Sequence, residues 1–266
     1  MSLPRADTVL ELGVGEGALL GPAFARWKDA RLITVDIDEH SVSSLLQRYP
    51  AHAHFCLDAL DLRLPERLEL QPRSVDAAVC NPPYIRNEWR PAFSELLEDA
   101  GLSGCIPVHR DAAAEVLFLA QNLRLLRDGG SLGIIVPDRI VTGSSMRLLR
   151  EHLVEEHGLV AVIQLPERIF RKTEAKTYIL VLNKKRPSSG QLPLYKLDAS
   201  GALSRPPKIL SEQASERLDF DYFSFSRADL GSVGNMDSRG GASSLPLAPF
   251  EIERGSVTNK LSRGRT

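Results

Sequence analysis

Long apolar runs are the first thing this chain lacks. No stretch approaches the ~20 residues a helix needs to span a bilayer, and no signal-peptide core follows Met1. Both absences predict a cytoplasmic chain with no membrane partner. Cysteine is scarce as well. Cys56, Cys80 and Cys105 are odd in number and none sits in a C-x-x-C pair, which speaks against a disulfide framework or a zinc site and for buried, reduced thiols. Internal repeats are missing. Net charge is nearly absent, at −1, yet it conceals an asymmetry: the first 80 residues carry 8 basic and 12 acidic side chains, the remainder 25 and 22. An acidic first part suits a cationic ligand, and a mildly basic second part suits a polyanion.

What is present is ordinary for a globular protein. With 266 residues, 43% apolar and 25% charged, the chain can bury one large core and carry an appendage. Short β-branched runs at 8–12, 31–35, 53–56, 75–79 and 131–136 read as strands. Helical patterns lie over 18–28, 40–48, 112–126 and 145–157. In the third of these, Val116, Leu117, Leu119, Ala120, Leu123 and Leu126 keep the helical period, and Asp128-Gly129-Gly130 is expected to close it. Two further strands, 159–165 and 177–183, are joined by a short charged loop without a clear helix, so they are expected to pair antiparallel. The fold class is therefore α/β, a doubly wound, mostly parallel seven-stranded sheet with one antiparallel strand. Its domain is expected to occupy residues 1–186. Pro187–Pro207 reads as a Ser/Gly/Pro-rich loop with one short strand at 192–197, and Asp229–Ser244 as a flexible linker.

Two strand ends carry the chemistry. Glu11-Leu12-Gly13-Val14-Gly15-Glu16-Gly17 follows the first strand, where glycines let the backbone pass close beneath a ligand and present the N–H groups of a helix start. Alone this is weak, since dinucleotide folds share it. Asp36, ending the second strand, stands where a carboxylate would accept ribose hydroxyls, an arrangement that also fits NAD or a plain surface loop. Asp58 ends the third strand and could equally be a turn or cap residue. After the fourth strand come Asn81-Pro82-Pro83-Tyr84, in which prolines stop the strand and leave an amide, carbonyls and an aromatic ring at the sheet's C-terminal edge. In open parallel sheets that edge binds ligands.

Together these segments resemble motifs I and IV of the S-adenosylmethionine-dependent methyltransferases of exocyclic amines. The match is nearest to the adenine-N6 DNA methyltransferases of γ-type motif order, as in type IIG and type I restriction–modification systems. Arg110-Asp111 with the helix after it resembles motif V, and Gly129–Pro137 resembles motif VI. Val162–Phe170 with Thr177–Lys184 resembles motif VIII. The resemblance implies S-adenosylmethionine as cofactor, bound by Glu11, Gly13, Gly15, Asp36, Ile37, Asp58 and Ala59. It implies catalysis by Asn81, Pro82 and Tyr84 without a metal. The Asn81 side-chain oxygen and the Pro82 carbonyl would accept the two N–H bonds of the target amine while Tyr84 stacks on the base. Phe170 would pack against an extruded adenine, and Arg171 and Lys172, in a loop that otherwise reads as a solvated charged segment, would meet DNA phosphates.

DNA is accordingly the expected partner, with a separate specificity or restriction subunit beside it. Because the glycine turn lies so near Met1, the family's preceding helix is expected to be missing. Leu247–Gly255 resembles the opening of a target-recognition domain, so residues 187–266 are expected to lead into a missing or truncated recognition domain. Three other readings stay open: a methyltransferase of release-factor glutamine, one of RNA, and a non-catalytic restriction–modification subunit that binds cofactor. The charged insert after Tyr84 and the motif VIII likeness speak against the first of these. Intact Asn81 and Tyr84 speak against the last.

Overall fold

The computed structural model describes residues 5–85, 88–106, 108–167, 169–170, 176–186, 190–211 and 216–222. Strands β1 (Thr8–Leu12), β2 (Arg31–Asp36), β3 (Ala53–Cys56) and β4 (Val75–Cys80) run parallel in the order β3-β2-β1-β4. Along them, alternate residues serve two cores, as the period of two requires. Leu10, Leu12, Ile33 and Val35 enter the larger core; Val9, Leu32 and Ala77 enter the smaller one on the opposite face. Helices α1 (Leu20–Arg26) and α2 (Glu39–Arg48) bring Leu20, Ala23 and Leu45 to the smaller core. Asp38 caps α2 by accepting from the Ser41 N–H at 3.1 Å. Helix α3 (Leu64–Arg67) is a single turn under the sheet.

The segment after β4 is more structured than a charged insert. Helix α4 (Ala92–Asp99) forms there because Phe93, Leu96 and Leu97 recur at helical spacing and are fully buried. It packs on α5 (Ala114–Leu125), whose side chains are buried nearly all round. The expected turn after α5 is absent. The chain passes directly into β5 (Leu126–Pro137), and Gly129, at φ +75°, is absorbed as an irregularity inside the strand, where the register with β4 shifts between Val75 and Ala77. Pairing explains this: the Gly129 N–H donates to the Lys184 carbonyl at 2.7 Å, and the Lys184 N–H to the Gly130 carbonyl at 2.8 Å.

Helices α6 (Asp138–Thr142) and α7 (Arg147–Glu155) lead to β6 (Leu159–Gln164) and then β7 (Thr177–Asn183). β7 lies antiparallel between β5 and β6, as the short connection requires. The strand count departs from expectation. The sheet has nine strands, not seven, because β8 (Gln191–Lys196) pairs parallel with β6, and β9 (Lys208–Ser211) pairs antiparallel with β8. Two strands, β7 and β9, thus oppose the rest. Leu192 and Leu194 alternate into the larger core and cover an edge of β6 that would otherwise lack partners.

Residues 216–222 lie against the same body. Leu218 and Phe220 are buried, and the Leu218 N–H donates to the Val141 carbonyl at 3.1 Å. Arg150, only 1% exposed, donates to the carbonyls of Ile140 (3.0 Å), Gly143 (2.8 Å) and Glu216. Of the three cysteines, Cys80 and Cys105 are buried thiols, but Cys56 is exposed at the edge strand, which corrects the expectation for that residue. Among the described residues no helix is long and apolar enough to cross a membrane.

Candidate active site

The adjacent C-terminal ends of β1 to β4 build one rim. β1 and β4 are in register through Leu12 and Cys80, and the Cys80 thiol donates to the Leu12 carbonyl at 3.3 Å. Gly13 and Asn81 therefore leave the sheet next to each other. Gly13 adopts φ +71°, and a Cβ there would stand 3.2 Å from the Phe118 ring and 3.8 Å from Pro83 Cδ. The glycine turn and the proline segment are thus packed together, with Phe118 of α5 as the third wall. A Cβ built at Gly15, which adopts φ +52°, would meet nothing within 4 Å. Its face of the turn is open.

Asp36 organises that turn. One carboxylate oxygen accepts from the Gly15 N–H at 2.7 Å and the other from the Asp38 N–H at 2.9 Å. Ile37 follows it and is 72% exposed, an apolar side chain held out at the rim. Asp58 stands two strands from the glycine turn. Its Oδ1 accepts from the Leu60 N–H at 2.9 Å and its Oδ2 from Arg90 at 2.5 Å. Ala59 is buried, and its carbonyl accepts from the Gln121 side chain at 2.8 Å.

Glu11 lies beneath the turn at 2% exposure, and its Oε2 has no hydrogen-bond partner. Burial first, and the charge of Asp36 second, push its carboxyl well above the usual carboxylate range. A buried orphan acceptor of this kind calls for an explanation, such as a ligand group that meets it.

On the other side of the rim, Pro82 is buried and Asn81 half-buried. The Tyr84 hydroxyl donates to Asn81 Oδ1 at 3.4 Å, a loose contact. The Tyr84 ring keeps 38% of its surface exposed. Removal from water raises the pKa of the hydroxyl, and the nearby Glu115 and Cys80 add to that. Tyr84 is therefore a neutral donor at any physiological pH.

Several neighbours of this rim escape a linear reading. Glu115, fully buried in the first turn of α5, accepts through a single oxygen from Arg139 Nε at 2.7 Å and from a second guanidinium nitrogen. Asp138 accepts from the Tyr178 hydroxyl at 3.0 Å. The one trace of the first pair in the sequence is a carboxylate inside an otherwise apolar helix; the second leaves none. Phe170 is half-buried, whereas Arg171 and Lys172 lie outside the described residues. Lys176, after that loop, stands 3.8 Å from Asp221. At the opposite end of the strands, Arg5, Asp7, Asp76 and Arg127 line a polar depression of about 430 Å³. Arg127 and the Asp7 and Thr8 N–H groups saturate Asp76 there, so that depression is a structural cluster.

The family described as N-6 DNA Methylase matches residues 55–229. The chain is 28% identical over 134 residues to the type I restriction enzyme MpnII methylase subunit of Mycoplasma pneumoniae, covering 50% of this chain and 24% of that protein. It is 24% identical over 200 residues to the type I restriction enzyme EcoEI methylase subunit of Escherichia coli, covering 68% and 39%. In structure it is similar to a type I restriction-modification system methyltransferase subunit from Streptococcus thermophilus, with a TM-score of 0.59 and 23% identity over 75% of this chain and 43% of that one. The chain spans only 24% and 39% of the two curated relatives' lengths.

Proposed function

Because this chain belongs to the N-6 DNA methylase family, we propose that it transfers a methyl group from S-adenosylmethionine to the exocyclic 6-amino group of adenine in DNA, within a restriction–modification system. The observation that carries the reading is the side-by-side exit of Gly13 and Asn81 from β1 and β4. It sets a cofactor turn and a pair of amine acceptors against each other across one rim.

The residues present fit the cofactor. Gly15 leaves open space above the turn, and Ile37 offers an apolar surface at the rim for a purine face. Both Asp36 oxygens hold one backbone N–H each and keep lone pairs for ribose hydroxyls. The orphan oxygen of Glu11 lies under the turn where a cationic amino-acid end would relieve it. When bound, the cofactor supplies a methyl group on a positively charged sulfur.

The chain's own residues do the rest. The lone pair of an exocyclic amine is delocalised into its ring, so the amine attacks poorly until it becomes tetrahedral. Asn81 Oδ1 and the Pro82 carbonyl would each accept one of its N–H bonds and draw it toward that geometry. The 3.4 Å contact from Tyr84 is weak enough for the amine to replace. Tyr84 provides the exposed ring on which the extruded base stacks, worth ~1–3 kcal/mol. No strong base is needed, since the amine loses its proton after transfer. The gain is mainly positional, and in-line placement supplies ~7–11 kcal/mol in well-ordered sites.

Phe170, Arg171 and Lys172 remain our candidates for base and phosphate contacts. Residues 1–186 would be the catalytic domain, with a specificity or restriction subunit as partner. The test is to incubate the chain with tritiated S-adenosylmethionine and, in parallel, DNA, RNA or release factor. Label in N6-methyladenine of DNA supports the assignment; label in release factor or RNA alone replaces it.

A further inference from the structure

Arg90 stands two residues before α4, and two contacts hold it. Its Nη1 donates to Asp58 Oδ2 at 2.5 Å, and its guanidinium carbon lies 5.5 Å from the centre of the Phe93 ring. Phe93 is a firm base, being fully buried and packed edge-on by Trp89 at 5.7 Å. The Arg90 side chain as a whole is 56% exposed, which leaves it accessible to a flat ligand. Asp58 spends one lone pair on Arg90 and one on the Leu60 N–H. A carboxylate has about four such sites, which leaves about two.

The family resemblance implies that Asp58 accepts from the amine of the cofactor's adenine. That amine is a neutral donor, whereas Arg90 holds the Asp58 oxygen by a charge-assisted bond, which is about twice as strong as a neutral one. The amine therefore takes a remaining lone pair beside Arg90 and does not displace it. That brings the purine against a planar cation whose position is already set, and guanidinium groups stack on aromatic faces. We propose that Arg90, pinned between Asp58 and Phe93, is a cofactor-binding residue that forms one wall of the adenine subsite. The inference rests on the function proposed above and goes beyond it in assigning a contact from the segment that precedes α4. The insert after Tyr84 thereby serves the purine side of the cleft.

The experiment is a calorimetric titration of the whole chain with S-adenosylmethionine and, separately, with 5′-deoxy-5′-methylthioadenosine, which keeps the purine and ribose but has no amino-acid end. Arg90→Ala should weaken both by the same factor, roughly three- to thirtyfold. Arg90→Lys retains an ion pair with Asp58 but not the flat face. It should keep the melting temperature while recovering only part of the affinity. Unchanged affinity in Arg90→Ala overturns the assignment. Tighter binding overturns it too, because Arg90 would then compete with the purine. Full recovery with lysine would reduce the residue to a structural ion pair. If the unaltered chain binds neither compound, the methyltransferase reading itself falls; if it binds both and Arg90→Ala binds equally well, only this inference does.

Discussion

Leu12 and Cys80 face each other across the C-terminal ends of β1 and β4, joined by a thiol-to-carbonyl hydrogen bond of 3.3 Å. Burial pushes the Cys80 thiol far up, so it stays a protonated donor. This contact brings the two chemical halves of the rim to one place. The roles we propose for them, cofactor binding at the glycine turn and amine acceptance at Asn81 and Pro82, require this separation, which two adjacent parallel strands supply without further adjustment.

The Asp36 carboxylate holds the Gly15 and Asp38 N–H groups, and we assign it the ribose hydroxyls as well. Asp36→Ala should therefore loosen the turn and remove a charged acceptor together. We expect S-adenosylmethionine affinity to fall by roughly 1.5–3 kcal/mol. Isothermal calorimetry with unchanged affinity would take Asp36 out of the site.

Asn81→Ala should behave differently. Its oxygen contacts Tyr84 and is assigned to the substrate amine, so cofactor affinity should be kept while methyl transfer is lost. Single-turnover transfer that survives in this variant would show that the acceptor role belongs to another group.

Glu11 should make stability depend on pH. Its carboxyl is pushed up in the folded chain, mainly by burial. The unfolded chain therefore releases this proton at lower pH than the folded one. The contribution of the protonated group is fully present below the unfolded pKa and is lost as pH rises toward the raised folded value. Glu11→Gln should abolish that loss, so its stability relative to the unaltered chain should grow as pH rises from about 4, the ordinary unfolded value, toward the raised folded one. Urea denaturation at several pH values measures this, and parallel curves would assign the titration elsewhere.

Arg150 bridges α7, the carbonyls of Ile140 and Gly143, and the Glu216 carbonyl. Arg150→Met keeps the apolar stem and leaves these buried acceptors without a donor, at a cost of about 1–3 kcal/mol. Faster hydrogen exchange at the Leu218 amide, which donates to Val141, should accompany the fall in melting temperature. Equal exchange in the two proteins would mean that Leu218 and Phe220 hold the segment without help from Arg150.

Much of the fold could be read from the sequence, because its signals are local. A β-branched run followed by glycine or proline ends a strand wherever it occurs, and the strand–helix alternation constrains the connections to one hand. The positions of Glu11, Gly13, Gly15, Asp36, Asp58 and Asn81 at the C-terminal rim could be read for that reason: each lies among the last two residues of a strand or within three residues after one. Other features depend on residues far apart in the chain. That the short strand read at 192–197 would join the main sheet was settled by the open edge of β6 and the buried sites for Leu192 and Leu194. The turn expected at Gly129 became part of β5 because Lys184 of the facing strand supplied partners on both sides. The pairs Glu115–Arg139, Asp138–Tyr178 and Asp58–Arg90 join residues whose sequence spacing carries no period and no motif. A charged side chain finds its partner through the packing of the elements that bear it, and only the folded chain decides that.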